Sequence, residues 1–289
     1  MSNVKEFDNE KKLGEGGFGV VFQEVWRGIP VAVKRIKLDD IESNGREEDA
    51  LDKLDHPNVV KLFHVESDSV FKYFYLELCS ASLDKLFLKD DDPKKYRGPA
   101  MPPAIEVLQQ LAGGLEYIHQ MNFIHRDIKP GNVLIWVDPA TQNVLMKWGD
   151  FGFSKRVNER GSHSISGSTR GTDNWYAPEI LLIKIQEEES GKDESAAHQR
   201  GTVKSDVFAQ GLVFGYYLLN GQHIFGSRVL ASANILSNNP VHLDKIQPLY
   251  VRDLIQKMLE PGREVRISSS DVFQLLQRHQ QLEMKKDKS

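Results

Sequence analysis

The chain has 289 residues, 40% of them hydrophobic and 27% charged, which is an ordinary composition for a globular protein with a large core. Its 37 Lys and Arg residues against 41 Asp and Glu residues give a formal net charge of −4, which does not indicate a nucleic-acid partner. The single cysteine, Cys79, excludes an internal disulfide, and we find neither a signal peptide nor an apolar run long enough for a membrane span. We therefore expect a cytoplasmic location, with the nucleus as the alternative.

The first 79 residues predict a small β-sheet with one helix. β-branched and aromatic residues bounded by Gly and Pro indicate strands, and Leu51 and Leu54 lie on one face of a helix that is otherwise charged. The predicted elements are strands over 20–26, 31–36, 59–65 and 70–78, a turn over 27–30 and a helix over 46–54.

The rest of the chain is predicted to be mainly helical. Apolar residues of helical period, and one nearly continuous apolar run, predict helices over 105–118, 207–219, 249–259 and 272–282. Polar stretches predict loops over 88–103 and 186–200, and the charged tail 283–289 is expected to fray.

A glycine-rich stretch, Gly14-Glu15-Gly16-Gly17-Phe18-Gly19, lies between two predicted strands. Glycine lets backbone N–H groups approach an anion closely, so the stretch is suited to cover a phosphate. For the glycines alone, a hairpin turn is the simpler interpretation. A dinucleotide-binding fingerprint would need a helix directly after the glycines, whereas Val20-Val21-Phe22 favours a strand.

Lys34 ends an apolar strand, and its side chain should face inward if Arg35 faces solvent. A buried ammonium group needs an anionic partner. We predict Glu47 as that partner, with Glu48 as the alternative, because Leu51 and the next leucine place Glu47 on the inward face of its helix. For Glu47 alone, a solvated surface charge is the simpler interpretation.

The motif HRDIKPGN (residues 125–132) follows the long apolar helix. Asp127 can orient an acceptor hydroxyl and accept its proton, and Lys129 can neutralise a transferring phosphoryl group. Asn132 can reach a metal ion in the same cleft, and Asp150, which opens Asp-Phe-Gly, is a hard oxygen ligand suited to Mg²⁺.

In this order, the glycine-rich stretch, VAVK (31–34), HRDIKPGN and DFG (150–152) resemble the eukaryotic protein kinase family over roughly residues 7–282. The resemblance implies a bilobal α+β fold, with a β-rich N-lobe, a larger α-helical C-lobe, and ATP and Mg²⁺ between them. The implied single domain spans 1–289, with the N-lobe and hinge over about 1–79, the C-lobe over 80–282 and the tail over 283–289.

The resemblance also implies a set of site residues. Catalytic roles fall on Lys34, Glu47, Asp127 and Lys129, and metal ligation on Asn132 and Asp150. The residues implied in nucleotide binding are Leu13, Gly14, Gly16, Gly17, Phe18, Gly19, Val21, Ala32, Lys34, Leu76, Glu77, Cys79 and Leu134.

Further landmarks of the family lie outside these motifs. Ala177-Pro178-Glu179 is similar to the end of the activation segment, Asp206 to the aspartate that braces the catalytic loop, and Arg266 to the arginine that pairs with that segment's glutamate. Lys129 and Gly171-Thr172 resemble serine/threonine kinases. The implied reaction is therefore transfer of the ATP γ-phosphoryl group to Ser or Thr hydroxyls of protein substrates.

A narrower resemblance links the chain to the kinase domain of the inositol-requiring stress sensors, which are kinase–endoribonucleases. It is carried by HPNVVKLFHVESDSVFKYFYLELCSASLDKL, RGTDNWYAPEIL and GQHIFG…ANIL. We see no lumenal, ankyrin or ribonuclease region, so we expect neither RNA cleavage nor a sensor role, while the resemblance implies a homodimer. The alternatives to an active kinase are a nucleotide-binding scaffold with little turnover and a dimerisation module.

Between Asp150 and Glu179 the chain is rich in hydroxyl residues, namely Ser162, Ser164, Ser166, Ser168, Thr169 and Thr172. A phosphate carries a charge of about −1.5 to −2 and could pair with Arg126. We hypothesise activation by phosphorylation within 162–169 by a second copy of the chain, with Ser164 and Ser166 favoured by the stress-sensor resemblance. A solvated serine-rich loop is the simpler alternative.

Overall fold

The computed structural model describes residues 5, 7–16, 19–38, 41–157, 162–164, 173–190 and 200–286. Its N-terminal part is one antiparallel sheet in the order β1-β2-β3-β5-β4 with a single helix, as predicted. The elements are β1 (Lys12–Gly16), β2 (Gly19–Trp26), β3 (Ile29–Lys37), α1 (Ile41–Lys53), β4 (Leu62–Ser67) and β5 (Phe71–Glu77).

The main differences from the predicted boundaries in this part are at the turn, at the start of α1 and at the start of β4. The turn is only Arg27-Gly28, since Ile29 and Pro30 pair with the end of β2. Helix α1 begins at Ile41 rather than at 46, because its polar first turns carry no apolar period to signal them. Strand β4 begins at Leu62 rather than at 59, because residues 59 and 60 pair instead with Trp148 in the C-terminal part of the chain.

The C-terminal part is mainly helical, as predicted, and carries three small sheets in the described residues. Its helices are α2 (Ala104–Gln120), α3 (Pro178–Ser190), α4 (Val203–Leu218), α5 (Ala231–Leu236), α6 (Leu249–Met258) and α7 (Ser269–Lys286). Its strands are β6 (Ala81–Ser82), β7 (Phe123–Ile124), β8 (Val133–Val137), β9 (Val144–Trp148), β10 (Lys155–Arg156), β11 (Ser162–Ser164) and β12 (Arg200–Thr202).

Helix α3 corrects the loop predicted over 186–200. The helix continues to Ser190, because the Gln and Glu residues at 186–189 are good helix formers despite their polarity. None of the helices in the described ranges is long and apolar enough to cross a membrane.

A single apolar core connects the sheet-rich lobe to the helical lobe. Phe74 of the sheet, Leu51 of α1, Leu111 of α2 and Trp148 of β9 are all buried in this cluster. A smaller aromatic cluster covers the opposite face of the sheet, where the Arg35 guanidinium lies 4.6 Å from the centre of the Phe71 ring rather than out in solvent. The architecture is the bilobal α+β fold that the motifs implied, and the cleft between its lobes holds the candidate site.

Candidate active site

Lys34 on β3 is the centre of an ion-pair network between the two lobes. Its Nζ lies 2.7 and 2.8 Å from the carboxylate oxygens of Glu47 and 2.7 Å from Oδ1 of Asp150. Glu47 is completely buried, whereas Glu48 pairs with Lys72. The predicted pairing of Lys34 with Glu47 is therefore present, and the alternative with Glu48 is not.

The charges in this network are set by burial and by mutual attraction. Burial lowers the pKa of Lys34, but Asp150 and Glu47 outweigh burial and the pKa is raised. Burial raises the pKa of Glu47 despite the nearby lysine. Burial also opposes ionisation of Asp150, but Lys34 outweighs it and holds the pKa of Asp150 below its usual value. Lys34 and Asp150 are thus both charged at neutral pH.

The catalytic-loop motif brings three of its side chains together. Lys129 Nζ lies 2.6 Å from Oδ2 of Asp127, and Asn132 Nδ2 donates to the same oxygen at 2.7 Å and to the Asp127 carbonyl at 2.8 Å. Asp127 is buried. Because the amide nitrogen of Asn132 makes these two bonds, its amide oxygen is the atom suited to bind a metal ion.

Asp206 on α4 holds the backbone of this loop. Its carboxylate accepts the backbone N–H of His125 at 2.7 Å and that of Arg126 at 3.0 Å, and it lies 3.1 Å from Nε2 of His119. Burial raises the pKa of Asp206, but His119 and the backbone N–H group outweigh it, so the pKa is lowered. The carboxylate also supports the positive φ of Arg126, 72°, a conformation that costs free energy in a non-glycine residue.

The sequence reasoning missed two members of this support. His119 contacts Asp206 through one ring nitrogen and Ser269 Oγ, at 2.8 Å, through the other. The available signal was a histidine in the last turn of an apolar helix, which indicates a buried polar contact but not its partner.

Packing of Phe151 places Asp150 beside the catalytic loop. Phe151 is fully buried and its ring centre lies 4.9 Å from that of His125. The Gly149 N–H donates to the carbonyl of Asn132 at 2.9 Å, and Asp150 itself has a φ of 62°. The two predicted metal ligands, Asn132 and Asp150, are therefore carried by hydrogen-bonded segments.

These ligands suit a hard cation that is shared with a nucleotide. Carboxylate and amide oxygens are preferred by Mg²⁺, which usually keeps few protein ligands and completes its shell with water and phosphate oxygens. Across the described ranges no group of three or more His, Cys, Asp or Glu side chains is placed to hold a metal. Asp150 and Asn132 fit a magnesium ion whose other ligands come from ATP.

The predicted nucleotide-binding residues lie on both sides of the cleft. Ala32 on β3 pairs with Leu76 on β5, and Val21 on β2 pairs with Lys34. Leu134 on β8 packs against the same apolar cluster as Ala32. Cys79 follows Glu77, the last residue of β5.

The glycine-rich stretch is a β1–β2 hairpin, so a strand follows it and the dinucleotide-binding alternative does not apply. Gly19 requires glycine, because its φ is 120° and an added Cβ would lie 2.1 Å from the carbonyl oxygen of Arg35. A Cβ at Gly14 or Gly16 would meet only open space, and the Leu13 side chain is half exposed. Gly17 and Phe18 lie outside the described residues.

Three cations converge beside the catalytic loop. Burial lowers the pKa of Arg126, and repulsion by Arg46 lowers it further. Burial, Arg126 and Arg46 together lower the pKa of Lys155 to about 8. These cations therefore repel one another, while the Asp206 carboxylate attracts Arg126. Of the residues in the predicted phosphorylation segment 162–169, positions 166, 168 and 169 lie outside the described part, as does 172. Only the backbone of Ser162–Ser164 is described, as a strand paired with β12.

The predicted pair of Arg266 with Glu179 is also present. The Arg266 guanidinium binds both carboxylate oxygens of Glu179, at 2.8 and 2.9 Å. This pair ties the start of α3 to the segment before α7.

The family model named protein kinase domain matches residues 7–279. Human serine/threonine-protein kinase/endoribonuclease IRE2 is 35% identical over 275 residues, which are 92% of this chain and 28% of that protein. Serine/threonine-protein kinase/endoribonuclease ire-1 of Caenorhabditis elegans is 35% identical over 271 residues, 90% of this chain and 26% of that protein. Serine/threonine-protein kinase atg1 of Dictyostelium discoideum is 28% identical over 287 residues, 94% of this chain and 39% of that protein. The chain thus spans about a quarter to two fifths of the length of these relatives.

Proposed function

The chain belongs to the protein kinase family, and we propose that it transfers the γ-phosphoryl group of Mg-ATP to Ser and Thr hydroxyls of proteins. The observation that carries the proposal is Lys34, which bridges Glu47 of the N-lobe and Asp150 of the C-lobe at hydrogen-bond distance. This arrangement supports an active kinase rather than an inert scaffold, because the phosphate-binding cation and the metal ligand are already adjacent.

Each residue of the site has a proposed task. Lys34 binds the α- and β-phosphates and Glu47 holds it in place. Asp127 orients the acceptor hydroxyl and takes its proton, while Lys129 stabilises charge on the transferring group. Asn132 and Asp150 hold Mg²⁺, which neutralises phosphate charge when it is bound.

Specificity for Ser and Thr is supported by two observations. Lys129 lies within hydrogen-bond distance of Asp127, where it can contact the phosphoryl group passed to an aliphatic hydroxyl. The printed names of the relatives include serine/threonine-protein kinase. Proteins with accessible Ser or Thr are the proposed substrates.

The test is a radiolabel transfer assay on the purified chain. With γ-labelled ATP, Mg²⁺ and a peptide array, we expect label on Ser and Thr that disappears when Mg²⁺ is chelated and when Asp127→Asn replaces the wild type. Nucleotide binding with no transfer would support the scaffold alternative instead. Label on Tyr alone would refute the specificity.

The proposal includes control by phosphate in residues 162–169. Arg46, Arg126 and Lys155 form a positive site beside the catalytic loop, and a phosphate there would relieve their mutual repulsion. A phosphate paired with these cations would hold the catalytic loop in its active form.

A further inference from the structure

A further buried ion pair includes Glu77, one of the predicted nucleotide-binding residues. Lys147 Nζ on β9 lies 3.0 Å from Oε2 of Glu77, and the two side chains are 7% and 14% exposed. The Lys147 ammonium also lies 5.1 Å from the centre of the Trp136 ring. Lys147 lies outside the sequence motifs described above, and the transfer reaction proposed above does not use it.

The two partners belong to segments that meet only in the folded chain. Glu77 is the last residue of β5, and its backbone is fixed by a 2.9 Å hydrogen bond from its N–H to the Lys61 carbonyl. Lys147 is paired with Leu134 between β9 and β8. The ion pair therefore joins the beginning of the hinge to the strands that carry Leu134 and lead to Asp150.

The thiol of Cys79, one of the predicted nucleotide-binding residues, is affected by both charges of this pair. Burial and the Glu77 carboxylate, opposed by Lys147, together raise the pKa of Cys79 to about 12. The Cys79 Sγ lies 3.9 Å from the Glu77 carbonyl oxygen. The charged pair and the hinge backbone thus occupy one small, poorly solvated volume, where an unpaired charge is costly.

We propose that the Glu77–Lys147 ion pair is a positioning device for the adenine base, holding the hinge backbone at a fixed distance from Leu134. Neither side chain touches the phosphates in this role, so the pair affects nucleotide affinity and leaves the transfer step unchanged. The inference rests on the proposed use of ATP by this site.

The experiment measures Mg-ADP binding by calorimetry, melting temperature, and kcat with the KM for ATP. In Lys147→Met we expect the Kd for Mg-ADP and the KM for ATP to rise about tenfold, with kcat within about twofold of the wild type, since about 1.4 kcal/mol corresponds to tenfold. Lys147→Arg keeps the charge and should bind Mg-ADP within about threefold of the wild type.

The double variant Lys147→Met/Glu77→Gln separates positioning from stability. This variant no longer carries the Glu77 carboxylate that lacks its lysine partner, so its melting temperature should recover. Its Kd for Mg-ADP should stay raised, because the ion pair between the hinge and β9 is still absent. If Lys147→Met does not fold, the double variant still decides the question. Lys95→Met is the matched control, since this half-buried lysine pairs with the exposed Asp90, and its Kd should equal that of the wild type.

Two results would overturn the inference. One is a Kd within twofold of the wild type in both Lys147→Met and the double variant. The other is a Kd that recovers together with the melting temperature in the double variant, which would make the pair merely structural. A wild type that binds Mg-ADP but transfers nothing would refute the proposed function alone, while a wild type that binds no Mg-ADP would overturn both.

Discussion

Arg266→Met should destabilise the protein strongly, because this arginine is fully buried and uses every donor it has. Nη1 and Nη2 each bind a carboxylate oxygen of Glu179 and a backbone carbonyl, of Lys204 at 2.8 Å and of Pro261 at 3.1 Å. Nε donates to the carbonyl of Glu260 at 2.8 Å. A guanidinium has five N–H donors, so none remains unused.

The expected loss follows from what the substitution leaves behind. Removing one partner of a buried ion pair costs about 3–5 kcal/mol, because the other charge stays buried. Three backbone carbonyls also lose their donor, although Ser205 still donates to Glu179 at 2.8 Å. We expect a loss of about 4 kcal/mol in the free energy of unfolding at pH 7, which for a chain of this size lowers the melting temperature by about 7 °C.

The pH dependence gives a second, independent readout. Burial raises the pKa of Glu179, but the hydrogen bonds and charge of Arg266 outweigh it and the pKa is lowered. A lowered pKa contributes stability above the unfolded-state value of about 4.3, and this stability is lost as the pH falls through the folded-state pKa. In Arg266→Met the cation is missing, so burial should raise the pKa of Glu179. Protonation of Glu179 at lower pH should then remove the unpaired buried charge and reduce the destabilisation of this variant. The difference in the free energy of unfolding between the wild type and Arg266→Met should therefore become smaller as the pH falls from 7 to 4.5.

Urea denaturation at several pH values measures both effects, with the midpoint and the slope fitted separately. Arg266→Met/Glu179→Gln should recover about half of the loss, because no charge stays unpaired. Arg263→Met is the matched control, since its pair with Glu264 is exposed and should be worth less than about 1 kcal/mol. A loss below 1 kcal/mol in Arg266→Met, or a difference that does not change with pH, would refute the reasoning.

The other predictions concern transfer. Lys34→Met should lower kcat by about 100-fold or more, since it removes a phosphate-binding cation; its melting temperature should fall by only a few degrees, because burial already raises the pKa of Glu47 and this carboxyl can take up a proton. Asp127→Asn should keep the Kd for Mg-ADP within about threefold while kcat falls by about 100-fold, the usual size of a general-base effect. Asp150→Asn should raise the Mg²⁺ concentration needed for half-maximal activity, because an amide is a weaker Mg²⁺ ligand than a carboxylate. Alanine at every Ser and Thr of 162–169 should lower transfer to an exogenous substrate and remove phosphate from that segment, as mass spectrometry would show.

Each of these predictions has an outcome that contradicts it. Turnover near the wild-type rate in Lys34→Met would defeat its assignment. A large fall in nucleotide affinity in Asp127→Asn would point to a structural role. An unchanged Mg²⁺ dependence in Asp150→Asn would mean that another group binds the metal, and full activity in the alanine variant would leave the segment a solvated loop. Lys95→Met serves as the unaffected control throughout.

Local sequence patterns predicted the elements well wherever packing and periodicity agree. Helix α2 lies within one or two residues of its prediction because its apolar stripe faces the core along its whole length. The errors arise where contacts with a distant segment determine the secondary structure. The apolar residues 59 and 60 resemble the start of a strand, yet they pair with Trp148, and nothing in the local pattern distinguishes these two outcomes.

Part of the site could also be predicted from local sequence. Motif residues such as Asp127 and Asp150 carry their chemistry in their identity and order, so the sequence names them. The contacts of His119 with Asp206, and of Lys147 with Glu77, depend on segments that approach one another only in the fold. A lone polar residue in an apolar strand or helix indicates that a partner exists, but not where it lies.

Buried charge is the feature that connects these cases. A buried ion needs a partner, and here the partners come from distant parts of the chain: Lys34 with Asp150 across the lobes, Lys147 with the hinge, and Arg266 with the start of α3. Apolar residues in the same places would stabilise the fold at least as well, since desolvation offsets much of the attraction. Each ion pair nevertheless restricts the distance and orientation between two elements, whereas apolar side chains can shift against one another. The pairs join elements whose geometry matters for the proposed phosphoryl transfer, and we therefore propose that they position these elements more than they stabilise the fold.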